Sequence, residues 1–282
     1  MTTSEAVLVT GTSTGIGRAI VERLSRDGTR VFAAVRDLST VDDHPLVTPV
    51  RLDVTSAAEA KAAADLVRDA LGSSKLRGIV NNAGIGIGGP LEFIDLDEVR
   101  RQFEVNLIGQ IAVTQAFLPI LREQGPQDPR IVFTSSIGSR VAAPFVGPYS
   151  ASKHALNGMA ESLRRELLPW GFRVSVLEPA TVSTPIWDKA AEAVSTTVDT
   201  LPPRAIELYG EAIESSRKYV AAANDAGIPP SVVADAAHHA LFSRRPKAEY
   251  LVGTEAKMTA AASSLLPFRV FDRLVLREMR KG

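Results

Sequence analysis

Short β-branched runs alternate along the chain with stretches whose apolar positions recur every three to four residues. The runs predict strands at Ala6–Thr10, Val31–Val35, Thr48–Leu52, Gly78–Asn81, Arg130–Ser135, Arg173–Leu177 and Tyr250–Val252. The periodic stretches predict helices. One covers Gly15–Asp27, with Ile16, Ala19, Ile20 and Leu24 on one face and Gly28 closing it. A second runs from Ser56, as N-cap, to Leu71. A single long helix covers Leu96–Leu121, and another Tyr149–Leu168, with Leu156, Met159, Ala160 and Leu163 on its apolar face. The strand runs are apolar throughout rather than alternating, so both faces of the sheet are covered. The pattern therefore predicts an α/β fold with a doubly wound parallel sheet and right-handed crossovers.

Two regions break the alternation. Residues 182–228 hold Pro185, Pro202, Pro203 and a polar helix, Arg204–Ala223. They follow the sixth strand, where such a sheet opens to its ligand, and we read them as a helical substrate-binding insertion. The second is the C-terminal tail, residues 257–282. Phe268, Phe271, Val275 and Met279 form an apolar stripe there, with Arg269, Arg273, Arg277 and Arg280 elsewhere. Such a helix docks on its own domain or a partner subunit, the reading we favour, or lies on a membrane surface. Residues 1–282 otherwise read as one domain.

Composition narrows the classes. Lys+Arg and Asp+Glu both number 32, so no nucleic-acid partner is indicated. Cysteine is absent, which excludes disulfides and thiol chemistry and fits a cytoplasmic protein. His44, His154, His238 and His239 make no ligand constellation, so no metal is expected. No signal peptide and no uninterrupted apolar stretch of ~18 residues is evident.

The chemistry lies in three features. Between the first strand and helix runs Thr10-Gly11-Thr12-Ser13-Thr14-Gly15-Ile16-Gly17. Glycines let the backbone approach phosphate oxygens, the helix N-terminus offers free N–H groups, and Ser13 and Thr14 add hydroxyls. Tyr149 and Lys153 share a helix face at i,i+4. A tyrosine titrates near 10, too high for acid–base work at neutrality, and an adjacent ammonium would lower it. Ser136 stands ready to hydrogen-bond a substrate oxygen. Singly each feature is ordinary; in this order they describe a dinucleotide-dependent redox site. At the end of the second strand, Arg36 predicts a preference for NADP(H), with NAD(H) the alternative, because an arginine accommodates the 2′-phosphate.

The Gly-x-x-x-Gly-x-Gly spacing resembles the short-chain dehydrogenase/reductase family, and further motifs agree. Asn81-Asn82-Ala83-Gly84 matches the family's motif after strand four, Phe103-Glu104-Val105-Asn106 its helix asparagine, and Thr134-Ser135-Ser136 its serine. Tyr149-x-x-x-Lys153 matches its defining pair. Pro179-Ala180 through Thr184 is similar to its Pro-Gly-x-x-x-Thr segment, with alanine where glycine is usual. The resemblance implies a Rossmann-type fold and a catalytic set of Asn106, Ser136, Tyr149 and Lys153. It also implies a cofactor site of Gly11, Ser13, Thr14, Gly15, Ile16, Gly17, Arg36, Asp53, Val54, Asn82, Ala83, Gly84, Tyr149, Lys153, Pro179, Val182 and Thr184. In it Lys153 would bind the nicotinamide ribose, Asn106 would join a water relay, and Asp53 and Val54 would flank the adenine. A homodimer or homotetramer is the family expectation.

Val141, Phe145, Ile186 and Trp187 flank the catalytic elements and are apolar. They predict a lipophilic alcohol or carbonyl substrate, steroid-, retinoid- or fatty-like. The runs Val31–Asp37 and Tyr250-Leu251-Val252-Gly253 resemble the branch with 17β-hydroxysteroid and retinol dehydrogenases. The rivals are an NAD-linked alcohol dehydrogenase and a non-catalytic nucleotide-binding regulator. The second has no need of the full catalytic set.

Overall fold

The computed structural model describes residues 5–185 and 201–279, with side chains at 219–225 and 278–279 outside that description. Seven strands form one parallel sheet: β1 (Glu5–Thr10), β2 (Arg30–Val35), β3 (Val47–Arg51), β4 (Lys75–Asn81), β5 (Arg130–Thr134), β6 (Arg173–Pro179) and β7 (Glu249–Val252). Their spatial order is β3-β2-β1-β4-β5-β6-β7. Every neighbouring pair is parallel. The predicted doubly wound sheet is thus present, and each predicted strand is found within a few residues of its expected bounds.

The order reverses between β1 and β4, the switch point at which sheets of this type take a ligand beyond the carboxyl ends of the strands. One face is covered by α2 (Ala57–Leu71), α3 (Leu96–Phe103), α4 (Gly109–Glu123) and α5 (Gly147–Leu167). Its core gathers Leu8, Phe32, Ile79, Phe117, Phe133 and Leu156. The other face is covered by α1 (Gly15–Arg26) and a later helix, α7 (Pro230–Phe242), through Ile20, Leu24, Val233, Ala237 and Leu241. The sequence pattern did not predict α7. Its first turn is marked by Pro230, which suits a position where no N–H bond is needed.

Two predicted helices differ in detail. The segment 96–121 is not one α-helix, because a π-turn at Glu104–Ile108 separates α3 from α4. Among the described residues this is the one helical stretch long and apolar enough to cross a membrane. Here it lies along the sheet. Gln102, Asn106, Gln110 and Thr114, four residues apart, are buried and bond the chain that leaves β4. The insertion's polar helix is α6 (Pro203–Ala226). Its far end returns to the sheet where Ser183 N–H donates to Ile228 O and Ile228 N–H to Thr181 O.

The tail is two helices, α8 (Thr254–Leu265) and α9 (Phe268–Met279). The expected stripe splits: Phe271 and Val275 are half-buried, whereas Phe268 is 87% exposed. Arg280 lies outside the described residues.

Candidate active site

The glycine turn is built for close approach. Gly11 and Gly15 hold φ values of +67° and +59°, which favour glycine. A Cβ on Gly17 would stand 2.2 Å from Gly11 O and 2.6 Å from Asn82 Nδ2. The turn is stapled to the chain after β4. Thr10 Oγ1 accepts from Asn82 N–H at 2.9 Å and Ala83 N–H at 3.0 Å, and Asn82 Nδ2 donates to Thr10 O and Gly11 O. Asn82 therefore acts from below the turn. Thr14 caps α1 without using its side chain. Thr184 closes the cradle from the other side, its side chain 3.2 Å from the Cβ position of Gly15.

At the ribose end, Arg36 is exposed just beyond β2. Asp37 is turned away, accepting from Ser39 N–H at 3.0 Å and Ser39 Oγ at 2.8 Å. Arg51 stands beside it, because Val35 pairs with Arg51 across β2 and β3. The carboxyl of Asp53 is held below the usual range by the Thr55 N–H, and the guanidiniums of Arg36 and Arg51 both add to that shift. Val54 is buried against Gly109. Arg51 was not anticipated from sequence; its signal is the strand register, which sequence alone does not fix.

Ser136, Tyr149 and Lys153 converge above this cradle. Ser136 lies two residues past β5 and caps a short turn, its Oγ accepting from Gly138 N–H at 3.0 Å. Tyr149 and Lys153 project from α5. A Cβ on Gly138 would lie 3.3 Å from Ser136 Oγ and 3.4 Å from Tyr149 Cε1, so glycine lets the two approach. Lys153 is buried, its Nζ 5.8 Å from the Tyr149 ring centre. Nζ donates to Thr134 O at 2.9 Å, its one protein hydrogen-bond partner among the described residues. Of three N–H bonds, two are left for a ligand.

The electrostatics correct one expectation. Burial raises the Tyr149 phenol above its ordinary value, and a hydrogen bond with Ser136 offsets part of this. Burial also pushes the Lys153 ammonium down to about 8, and burial, not that neighbouring charge, sets the direction of the Tyr149 shift. The Asn106 side chain ties the loop after β4 to α5. Oδ1 accepts from Ile85 N–H at 2.9 Å, and Nδ2 donates to Ile85 O at 3.0 Å and Ser152 Oγ at 3.1 Å. Gly84 passes between it and Lys153, its Cβ position 3.3 Å from Asn106 Oδ1 and 3.6 Å from Lys153 Nζ.

Pro179, the last residue of β6, and buried Val182 lead to Thr184. Ala180 replaces the usual glycine without conflict, because Gly253 opposite has no side chain; a Cβ there would meet that of Ala180 at 3.4 Å. Of the pocket residues, Val141 and Phe145 are half-buried beside the site. Phe145 carries a left-handed φ of 66° and its carbonyl accepts from Gly89 N–H at 2.7 Å. Its ring meets Tyr209 of α6 edge-on at 6.3 Å, and Tyr209 meets Phe93 at 6.0 Å. Ile186 and Trp187 lie outside the described residues. Phe93 and Tyr209 were missed in sequence, since neither adjoins a catalytic motif.

The sheet order, the cradle at its switch point and a Tyr–Lys pair above it define a nucleotide-dependent oxidoreductase. The profile of the short chain dehydrogenase family matches residues 5–195. The chain belongs to the short-chain dehydrogenase/reductase family and acts on CH–OH or carbonyl groups. It is 32% identical to the NADPH-dependent 3-dehydrocapnine reductase of Ornithobacterium rhinotracheale, with 97% of each chain covered. It is 32% identical to mouse retinol dehydrogenase 5, covering 95% of this chain and 87% of that one. Among solved structures it is similar to a Burkholderia cenocepacia short-chain dehydrogenase in complex with NADP (TM-score 0.75, 27% identity, 96% and 98% covered). A Burkholderia phymatum relative in complex with NAD is equally near (TM-score 0.76, 28% identity, 92% of each).

Proposed function

We propose that the protein is an NADP(H)-preferring oxidoreductase of lipophilic secondary alcohols and ketones, or of alcohols and aldehydes. The observation that carries this is the convergence of Ser136 and Tyr149 over a buried Lys153 that keeps two N–H groups for a ligand. The cradle fits a dinucleotide: its glycines leave no room for any Cβ beneath the phosphate path. When bound, the nicotinamide supplies or accepts the hydride. The residues do the rest. Ser136 orients the substrate oxygen. The Tyr149 hydroxyl gives its proton to that oxygen in reduction and takes it back in oxidation. Lys153 holds the nicotinamide ribose and places positive charge beside the phenol. Asn106 keeps the Ile85 loop and α5 in register.

Two exposed cations, Arg36 and Arg51, support the 2′-phosphate, and the 3-dehydrocapnine reductase is named as NADPH-dependent. Arg51 is only loosely engaged, 3.6 Å from Glu59, whose carboxylate already accepts from Asp53 N–H. The aromatic group Phe93, Phe145 and Tyr209 supports an apolar substrate, and the mouse relative is named for retinol.

The test is a fluorescence titration with NADPH and NADH. NADPH binds at least about tenfold tighter, and Arg36→Ala and Arg51→Ala each weaken NADPH about fivefold to tenfold while leaving NADH unchanged. Equal affinity for both cofactors overturns the preference. Turnover of retinal and steroid ketones, lost about a hundredfold or more in Tyr149→Phe with NADPH binding retained, supports the chemistry. Turnover confined to small sugars overturns the lipophilic reading.

A further inference from the structure

Glu178, on β6, touches neither the cradle nor the cleft, yet its side chain is 0% exposed. A carboxylate taken wholly out of water persists where donors replace its hydration. Here Arg140 Nε donates at 2.7 Å, Asn157 Nδ2 donates to Oε1, and Ser139 Oγ lies 3.2 Å from Oε1. These neighbours come from two places. Ser139 and Arg140 close the turn that Ser136 opens. Asn157 stands one helical turn beyond Lys153 and two beyond Tyr149, on the same face of α5.

The links continue to the catalytic serine. Ser139 Oγ donates to Ser136 O at 2.6 Å and accepts from Asn157 Nδ2 at 2.9 Å. The residue between Ser136 and Tyr149 is Gly138, so no side chain wedges them at a fixed spacing. Their mutual hydrogen bond requires both backbones to be held in place, and anchorage beneath provides that. We propose that Glu178 is a positioning residue that holds the Ser136 turn in register with the Tyr149–Lys153 helix. This rests on the reading of Ser136 and Tyr149 as the groups that face the substrate oxygen.

The test uses Glu178→Gln in the full-length protein, with NADPH or NADH and 1-phenyl-1,2-propanedione, an activated carbonyl that presumes nothing about the natural substrate. Misplacing a reacting pair by about an ångström costs up to a hundredfold, so kcat falls roughly tenfold to a hundredfold. Cofactor affinity stays within about twofold, since the cradle is untouched, which separates a positioning effect from general damage. The exchanged pair Glu178→Gln/Asn157→Asp returns a carboxylate and an amide to the same contact and recovers most of kcat. Amide hydrogen exchange over residues 136–141 quickens in the single variant and slows again in the exchanged pair.

Unchanged kcat with unchanged local exchange overturns the proposal. So does a loss of kcat and cofactor affinity together with faster exchange throughout the sheet. Should the parent not turn over the diketone, exchange over 136–141 decides: local quickening supports the role, none or a uniform rise defeats it. Full turnover in Tyr149→Phe would instead sink the underlying catalytic reading, and the exchange result would still report whether Glu178 anchors the turn.

Discussion

Lys153 carries the sharpest consequence at the level of one residue. Its folded pKa, pushed down to about 8, lies below the ordinary 10.5. Between those values the unfolded chain holds a proton that the folded protein has released, so stability rises with pH across that window. The full effect is on the order of 3 kcal/mol for the cofactor-free protein. Tyr149 acts in the opposite sense. Its folded pKa is raised, so above about pH 10 the unfolded phenol ionises first and stability falls. Urea unfolding at pH 8, 9 and 10 should show the parent gaining on Lys153→Met, whose own stability lacks this rise. Parallel curves would mean that Lys153 keeps an ordinary pKa. The Tyr149–Lys153 pair was legible in sequence because its spacing is local to one helix. Its electrostatics were not, because the carbonyl of Thr134 and the burial that govern Lys153 come from another strand. Glu178 was illegible for the same reason: its partners lie 21 to 39 residues away.

Among elements, the strands were legible because continuous apolar runs admit few readings in an alternating chain. The 96–123 segment shows where that reasoning stops. Composition marks it as one apolar helix, but Gln102, Asn106, Gln110 and Thr114 recur every fourth residue within it. That polar row faces the sheet, not solvent, because the chain after β4 leaves as irregular backbone with groups to satisfy. The π-turn falls at Asn106, the member of the row that reaches both Ile85 and α5. Gln102 bonds both groups of the adjacent loop, accepting from Ile87 N–H at 2.7 Å and donating to Ile85 O at 2.5 Å. Gln102→Leu keeps the volume and strands both. It should cost about 2–4 kcal/mol, read as a lower urea midpoint at unchanged slope. The loop also carries Gly86, whose Cβ position is 4.0 Å from Tyr149 Cδ2, so turnover should fall as well. A variant as stable as the parent would show that water replaces the amide.

For the whole molecule, the cofactor cradle joins parts distant in the chain: the first βα turn, the loop after β4 and the segment after β6. A ligand that binds only this assembled form stabilises all of it, by about 2.7 kcal/mol at a hundred times its dissociation constant. For a chain of this size that corresponds to a rise in Tm of roughly 4–5 °C. Gly17→Ala tests whether the cradle is the source. The added methyl would meet Gly11 O at 2.2 Å and Asn82 Nδ2 at 2.6 Å, and both groups are fixed by the Thr10 staple. The turn must shift outward into the phosphate path. The variant should therefore lose nearly all of the NADPH-induced rise in Tm, while its cofactor-free Tm falls by less than the parent gains. Such a split places the binding energy in the turn. A rise in Tm kept by Gly17→Ala would place it instead at the Arg36–Arg51 end, where the turn contributes only shape.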